Sequence, residues 1–340
     1  MNRPGRLFQG VLLITVLALA AFPLVGEKFY LQFVTKVMIM AIFAMSLDLL
    51  VGHGGLVSLG HALPFGVAAY TLMLLTPESH GAGLWTSLAL SIGVAGLAST
   101  VVGALVLRTS GIYFIMVTLA FGQMAYAYVH DSKYLGGSDG KYIYVRPVLE
   151  LFGWQPLDLE KPADFYYLAL AFMVLVYAGL RVLLAAPFGR AIAGIRENEH
   201  RMRMLGFATI RYKLACFVIG GALAGLAGWL AAAHDGLVNP EMLSWHQSGQ
   251  LLMMVILGGM GAPAGPVLGA AALKSLELVF QGWTKHWQLV LGLFIVLSVL
   301  FLPRGLAQLF EGKSGSEPYF RKLRAAGNWA LTPISGKRRG

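Results

Sequence analysis

Apolar residues run in long unbroken stretches along this chain, not in half-buried alternations or one-sided helical stripes. Residues 7–26, LFQGVLLITVLALAAFPLVG, carry no charge. A run of about 20 apolar residues crosses a hydrocarbon core as one helix. Similar segments are predicted at 7–25, 29–51, 55–75, 83–107, 111–130, 165–186, 214–234, 248–264, 265–281 and 287–303. The stretch 248–281 is one run interrupted by glycine and proline. Divided in two, each piece reaches roughly 25 Å, enough for a short span. If both pieces cross, the total is about ten; otherwise it is nine or fewer.

The polar residues set direction. Segment 187–213 holds Arg190, Arg196, Arg201, Arg203, Arg211 and Lys213. Arg3 and Arg6 precede the first run, and Arg304, Lys313, Arg321, Lys322, Arg324, Lys337, Arg338 and Arg339 follow the last. The positive-inside bias puts all three regions in the cytoplasm. Four crossings after residue 213 satisfy that placement and three do not, so charge favours ten. The mixed-charge segment 131–164 then lies outside, as a periplasmic loop. Arg3, Arg6 and Ala18-Leu19-Ala20 imitate a cleaved signal peptide. Apolar residues continue through Val25 with no polar region before the cut, so the segment is expected to stay.

Composition narrows the class. The 340 residues are 57% hydrophobic and 12% charged, whereas soluble domains carry about 25% charge. A soluble enzyme, a disulfide scaffold, a disordered chain and a coiled coil are all excluded. The net charge of +10 resides beside membrane segments, so no nucleic-acid partner is expected. The single cysteine, Cys216, permits no intrachain disulfide and no cysteine metal cluster. A small buried hydrophobe is its simplest role.

Two apparent motifs fail on context. Gly136-Gly137-Ser138-Asp139-Gly140 matches G-x-S-x-G, but a nucleophile elbow needs a strand, a turn and a helix. Here Gly137, Ser138 and Asp139 follow a span and enter a loop, so a turn or binding loop is expected. Gly312-Lys313-Ser314 resembles the end of a phosphate loop, yet Ala307 stands where its first glycine belongs. No H-E-x-x-H occurs. No cofactor or metal is expected on the chain, and no enzyme activity.

Two glycine-rich stretches interrupt the apolar runs. One includes Gly54, Gly55, Ser58 and His61; the other includes Gly258, Gly259 and Gly261, followed by Pro263. Broken backbone survives at membrane depth only when buried in protein or lining a cavity. Paired interruptions in two halves point to a translocation path. The alternative is packing, since Gly221/Gly225 and Gly261/Gly265/Gly269 have small-xxx-small spacing. Asp48, His53, His61, Lys36 and Arg181 lie in or beside spans, which makes a proton relay one reading. The simpler reading is preferred: Lys36 and Arg181 snorkel, while Asp48 and the histidines hydrogen-bond broken backbone.

Segment 187–213 carries a further prediction. Pro187 should stop the preceding helix, Ala191 to Leu205 has a helical pattern, and Gly206 can end it. Such a piece can dock on a partner or rest on lipid headgroups.

The chain resembles the permease subunit of bacterial branched-chain amino acid ABC importers, and more narrowly the longer, LivM-type permease. The resemblance covers about residues 40–305. It rests on SLDLLVGHGGLVSLGHALPFGVAAY at 46–70, LRTSGIYFIMVTLAFGQM at 107–124 and GGSDG at 136–140. PFGRAIAGIRENEHRMRMLGF at 187–207 and VILGGMGAPAGPVLGAA at 255–271 complete it. It implies an all-α polytopic membrane helical bundle of the ABC importer permease type, with a permease domain over 1–303 and a basic cytoplasmic tail over 304–340.

The implied partners are a second homologous permease, two cytoplasmic ATP-binding subunits that use ATP and Mg, and a periplasmic substrate-binding protein. The implied location is the bacterial inner membrane. Segment 187–207 corresponds to the loop that docks on an ATPase. There Ile192 and Ile195 are expected to anchor, Arg196, Glu197, Glu199 and Arg201 to orient, and Gly206 to close. The E-A-A-x-x-x-G pattern of many importers is not kept, since His200-Arg201-Met202 stand in its place. Urea and short-amide importers have similar permeases and give an alternative substrate; an ion-coupled secondary carrier is a more distant one.

Overall fold

The computed structural model describes residues 18–24, 27–76, 82–148, 159–262, 264–302 and 305–309. The first predicted span, 7–25, is thus described only over its last third. Arg3, Arg6, Pro263, Arg304 and the Lys313–Ser314 region lie outside the described residues. Residues to Ala307 form one compact unit; the second, Gln308–Gly340, is described only at Gln308 and Leu309.

The described residues are nearly all helical. Helix α1, Lys28–Asp48, continues as a wide π turn over Leu49–His53. Then follow α2 (Ala62–Leu75), α3 (Leu84–Val106), α4 (Ile112–Asp131), α5 (Pro162–Ala185), α6 (Pro187–Glu197), α7 (Glu199–Met204) and α8 (Thr209–Asp235). Helices α9 (Trp245–Gly258), α10 (Gly265–Trp283) and α11 (Trp287–Phe301) complete the set. Among the described residues, five segments are long and apolar enough to cross a membrane: Lys28–His53, Leu84–Val106, Ile112–Asp131, Pro162–Ala185 and Thr209–Asp235. Ala62–Leu75 and Trp287–Phe301 are shorter apolar helices. The predicted span 55–75 is helical only from Ala62, because residues 55–61 form an irregular connection.

From Met38 to Gly52 every residue of α1 and its π turn is buried. A helix that is apolar on all sides belongs in the centre of a bundle, and α1 packs there against α5, α8, α9 and α10. Helix α8 is the second central element, in contact with α1, α2 and α3. Its glycines face different neighbours. A Cβ on Gly220 would strike Leu50 of α1, on Gly221 Ser99 of α3, and on Gly228 the Phe65 carbonyl of α2. A Cβ on Gly225 would stand 2.5 Å from Ala95 of α3. The small-residue spacing read at Gly221/Gly225 is therefore a seam between α3 and α8. Trp229 fills the next turn, and its indole N–H donates to Ser87 Oγ at 3.2 Å.

At the Asp235 end of α8, a two-residue ribbon joins β1 (Lys141–Tyr142) to β2 (Leu237–Val238), antiparallel. Arg146 fastens the surrounding loop. It donates to the carbonyls of Leu159 at 2.7 Å and His234 at 3.2 Å, and lies 5.8 Å over the Phe165 ring. The α6–α7 segment stands at the other end of α8, about 40 Å away along 27 residues.

The prediction for residues 187–206 is corrected in two places. Pro187 does not merely stop a helix: Ala186 is extended, and Pro187 opens α6 at its first position, where a missing N–H is harmless. The expected single helix over 191–205 is two, divided at Asn198. There the side chain accepts from Arg201 N–H at 2.9 Å and caps α7. Gly206 ends α7 as read, with φ +86 and paired bonds from Gly206 N–H to Arg203 and Phe207 N–H to Met202.

Gly228→Ala should lower the thermal stability of the purified protein, by about 1–3 kcal/mol for overpacking, because the Phe65 backbone cannot retreat. Gly179→Ala, with nothing within 4 Å of the new Cβ, should leave it unchanged. Melting curves in one detergent check both.

Candidate functional site

The two broken segments meet at the C-terminal end of α1. The π turn replaces ordinary helical bonding with Gly54 N–H to Leu49 carbonyl at 3.1 Å and Leu56 N–H to Leu50 carbonyl at 2.9 Å. Such turns widen a helix and recur at functional places. Here the widening lets Gly52 lie against Gly261. A Cβ on Gly52 would be 2.5 Å from Gly261 N, and one on Gly261 would be 3.0 Å from the Gly52 carbonyl.

Asp48 ties this contact together, its Oδ1 accepting the Gly261 N–H at 2.8 Å. His53 Nδ1 stands 3.4 Å from the Asp48 carbonyl and 3.8 Å from its Oδ2. Cys216, fully buried, directs its thiol to the Leu49 carbonyl at 3.5 Å. Asp48 and His53 thus hold broken backbone, as the simpler reading had it. His61 departs from that reading, because its partner is the Ser46 side chain within α1 and not broken backbone. Ser46 gives its one hydroxyl proton to the Phe43 carbonyl at 2.6 Å, so it must accept from His61 Nε2 at 2.9 Å. That contact fixes the tautomer with the proton on Nε2, and Phe43 stacks on the ring.

The expected path residues fall into close contacts. Gly54 and Ser58 are buried; Ser58 Oγ accepts from Gly60 N–H at 3.3 Å. Gly55, with φ +68, is exposed, and an added Cβ there would come 3.0 Å from Arg196 Cγ. Gly258 faces the Gly265 carbonyl and Gly269, and Gly259, with φ +109, meets Gly305 from the far end of the chain. Of the other ionisable residues, Lys36 pairs with Asp235 at 3.5 Å, and Arg181 lies over Tyr177 at 5.9 Å.

The α6–α7 residues divide by direction. Ile192 and Ile195 are buried in this chain's own cluster with Leu49, Leu50, Leu56, Val106, Leu107, Phe114, Cys216 and Phe217. Their expected anchoring in an ATPase is corrected: an apolar face already covered by its own chain has none left for a partner. Arg196 donates to the Gly52 carbonyl. Glu199 is a brace, accepting from Arg203 at 2.6 Å, Thr209 at 3.1 Å and Lys213 at 2.5 Å. Glu197, Arg201 and Gly206 are exposed. So are Met204, Leu205, Phe207 and Ile210, at 73%, 66%, 38% and 53%. The sequence analysis placed Leu205 only in the helical pattern and passed over Met204, Phe207 and Ile210, although large apolar residues clustered among arginines were the available signal. It also missed Lys274 and Glu277, an ion pair at 2.8 Å within α10, because a run averaging apolar conceals two charges one turn apart.

Loop residues Gly137, Ser138 and Asp139 form a short 3₁₀ turn. The exposed Ser138 hydroxyl donates to Asp139 Oδ1 at 3.1 Å. The turn leads into β1 and no helix follows it directly, so the frame of a nucleophile elbow is not built.

A family model described as the permease component of the branched-chain amino acid transport system matches residues 29–300. The chain belongs to that permease family. LivM, the high-affinity branched-chain amino acid transport permease of Salmonella typhimurium LT2, is 32% identical over 318 residues, 88% of this chain and 75% of its own length. LivM of Escherichia coli K12 matches equally, at 32% over the same shares. LivH of Escherichia coli K12, a permease of the same named system, is 28% identical over 120 residues, 35% of this chain and 39% of its own. No solved structure gives a significant match. The match to residues 29–300 takes in both breaks and the α6–α7 segment, so the junction lies within the permease region.

Burial alone would raise the Glu199 carboxyl, but the hydrogen bonds from Lys213, Arg203 and Thr209, with the Lys213 charge, outweigh it and hold it below its ordinary 4.5. A depressed carboxylate contributes stability fully above its unfolded value, lost as pH falls through its folded one. The permease should therefore lose melting temperature on acidification below about pH 4.5, and Glu199→Gln should lose less over the same interval. Equal losses would separate the brace from stability.

Proposed function

We infer that this permease is the LivM-type membrane subunit of an ABC importer and translocates branched-chain amino acids. The likeness to LivM over 88% of the chain carries the reading. Relatives so named do not favour the urea or short-amide alternative. The chain's own sequence offers no nucleotide loop, so ATP and Mg act on partner subunits. The partial match to LivH supports a second, homologous permease beside this one. A periplasmic binding protein delivers substrate, and the complex resides in the bacterial inner membrane.

The arginine-rich α6–α7 end faces the cytoplasm and the ribbon end the periplasm, with about ten crossings. Five long helices and two shorter apolar ones among the described residues support a polytopic bundle, and the Lys/Arg distribution is what favours ten. Docking on an ATPase falls to the exposed face of Glu197, Arg201, Met204, Leu205, Phe207 and Ile210. Apolar residues at its centre supply contact area; the charges set register and approach. The Lys and Arg residues of 304–340 favour the cytoplasmic side for that stretch as well.

In proteoliposomes, the complex with both permeases, both ATPases and the loaded binding protein should take up leucine, isoleucine and valine with ATP. Uptake of urea alone would replace the substrate assignment. For topology, Ser138→Cys should react with an impermeant thiol reagent in intact spheroplasts, and Ala208→Cys only after the membrane is opened. The native Cys216 is buried and should stay silent.

A further inference from the structure

Arg196 is exposed on the α6–α7 segment, yet its side chain reaches back to this chain's own backbone. Its aliphatic stem crosses Gly55, where an added Cβ would come 3.0 Å from Arg196 Cγ. Its guanidinium donates to the Gly52 carbonyl. That carbonyl lies at the end of a helix, where the last acceptors lack intrahelical donors and a cation is favoured. The same carbonyl touches the Gly261 turn, and Asp48, four residues earlier, holds the Gly261 N–H. Three segments distant in sequence thus share one backbone group: the π turn of the first break, the turn of the second, and helix α6.

We propose that Arg196 is the positioning residue that transmits movement of α6 to both broken segments, through the Gly52 carbonyl. Ile192 and Ile195 seat α6 on Leu49 and Leu50, but apolar contacts are non-directional and allow sliding. The charge-assisted bond to Gly52 is directional, so displacement of α6 pulls the π turn. Gly52 bears directly on Gly261, and Asp48 holds the two turns as a unit. Rigid-body motion of a short helix then becomes a change in the contact between the breaks.

This inference rests on the ABC importer reading, and one experiment separates the two. In the reconstituted complex, uptake and ATP hydrolysis are measured together, and their ratio is the readout. Arg196→Met keeps a stem over Gly55 and removes the donor; the ratio should fall about tenfold, the loss expected of one charge-assisted bond. Arg196→Lys restores a donor without the planar fork and should recover part of the ratio. Arg201→Met, on the exposed face, should lower ATPase recovery and hydrolysis together and leave the ratio intact.

A normal ratio in Arg196→Met, or a proportional fall of uptake and hydrolysis, would overturn the role of Arg196. Should Arg196→Met fail to assemble, Arg196→Lys decides: a reduced ratio supports the inference, and a normal ratio or renewed failure to assemble overturns it. No ATP-dependent uptake by the wild-type complex would instead defeat the importer reading itself.

Discussion

A helix that breaks within a packed interior leaves carbonyls and amides that must find partners in the protein. The contacts around Gly52 answer that constraint with protein groups. Asp48 takes the Gly261 amide, Arg196 serves the Gly52 carbonyl and the Cys216 thiol serves Leu49. Because a hydrogen-bonding group from each break is committed to the junction, neither break can rearrange alone. A membrane segment that must move has its moving parts joined by the same bonds that make the break tolerable.

The central helices make that joining possible. Helix α8 reaches from the brace at Glu199 to the pair of Asp235 with Lys36. Small residues along it admit α1, α2 and α3 at backbone distance. A close-packed interior responds to displacement as a block and does not flow around it. The bundle is thus close-packed along α8, and the two glycine-rich turns meet at its α6 end.

Much of this was legible in the chain. Runs of apolar residues locate the helices because the bilayer demands length and apolarity from each one. The breaks at 52–61 and 258–266 stand out because glycine and proline are poor helix formers in any solvent. What was hidden depended on direction. The face bearing Ile192 and Ile195 is apolar whether its own chain or a partner covers it, so sequence pattern cannot choose. Asn198 was a readable cap but sat inside a pattern that continued on both sides. Arg196 looked like its neighbours Arg201 and Arg203, and only the position of Gly52, 144 residues earlier, distinguishes it.

The span between Gly52 and Gly261 has a consequence for biosynthesis. The first break enters the membrane with Asp48 and the Gly52 carbonyl already made, yet α6 and the second break do not exist. At about 5–20 residues per second, the ribosome needs about 10–40 s to supply Gly261. Through that interval the nascent chain carries an incomplete joint that water, the insertion machinery or a transient neighbour must shelter. Gly305, which covers Gly259, emerges later still. The order of synthesis thus leaves the joint between the two breaks among the last parts of the protein to form.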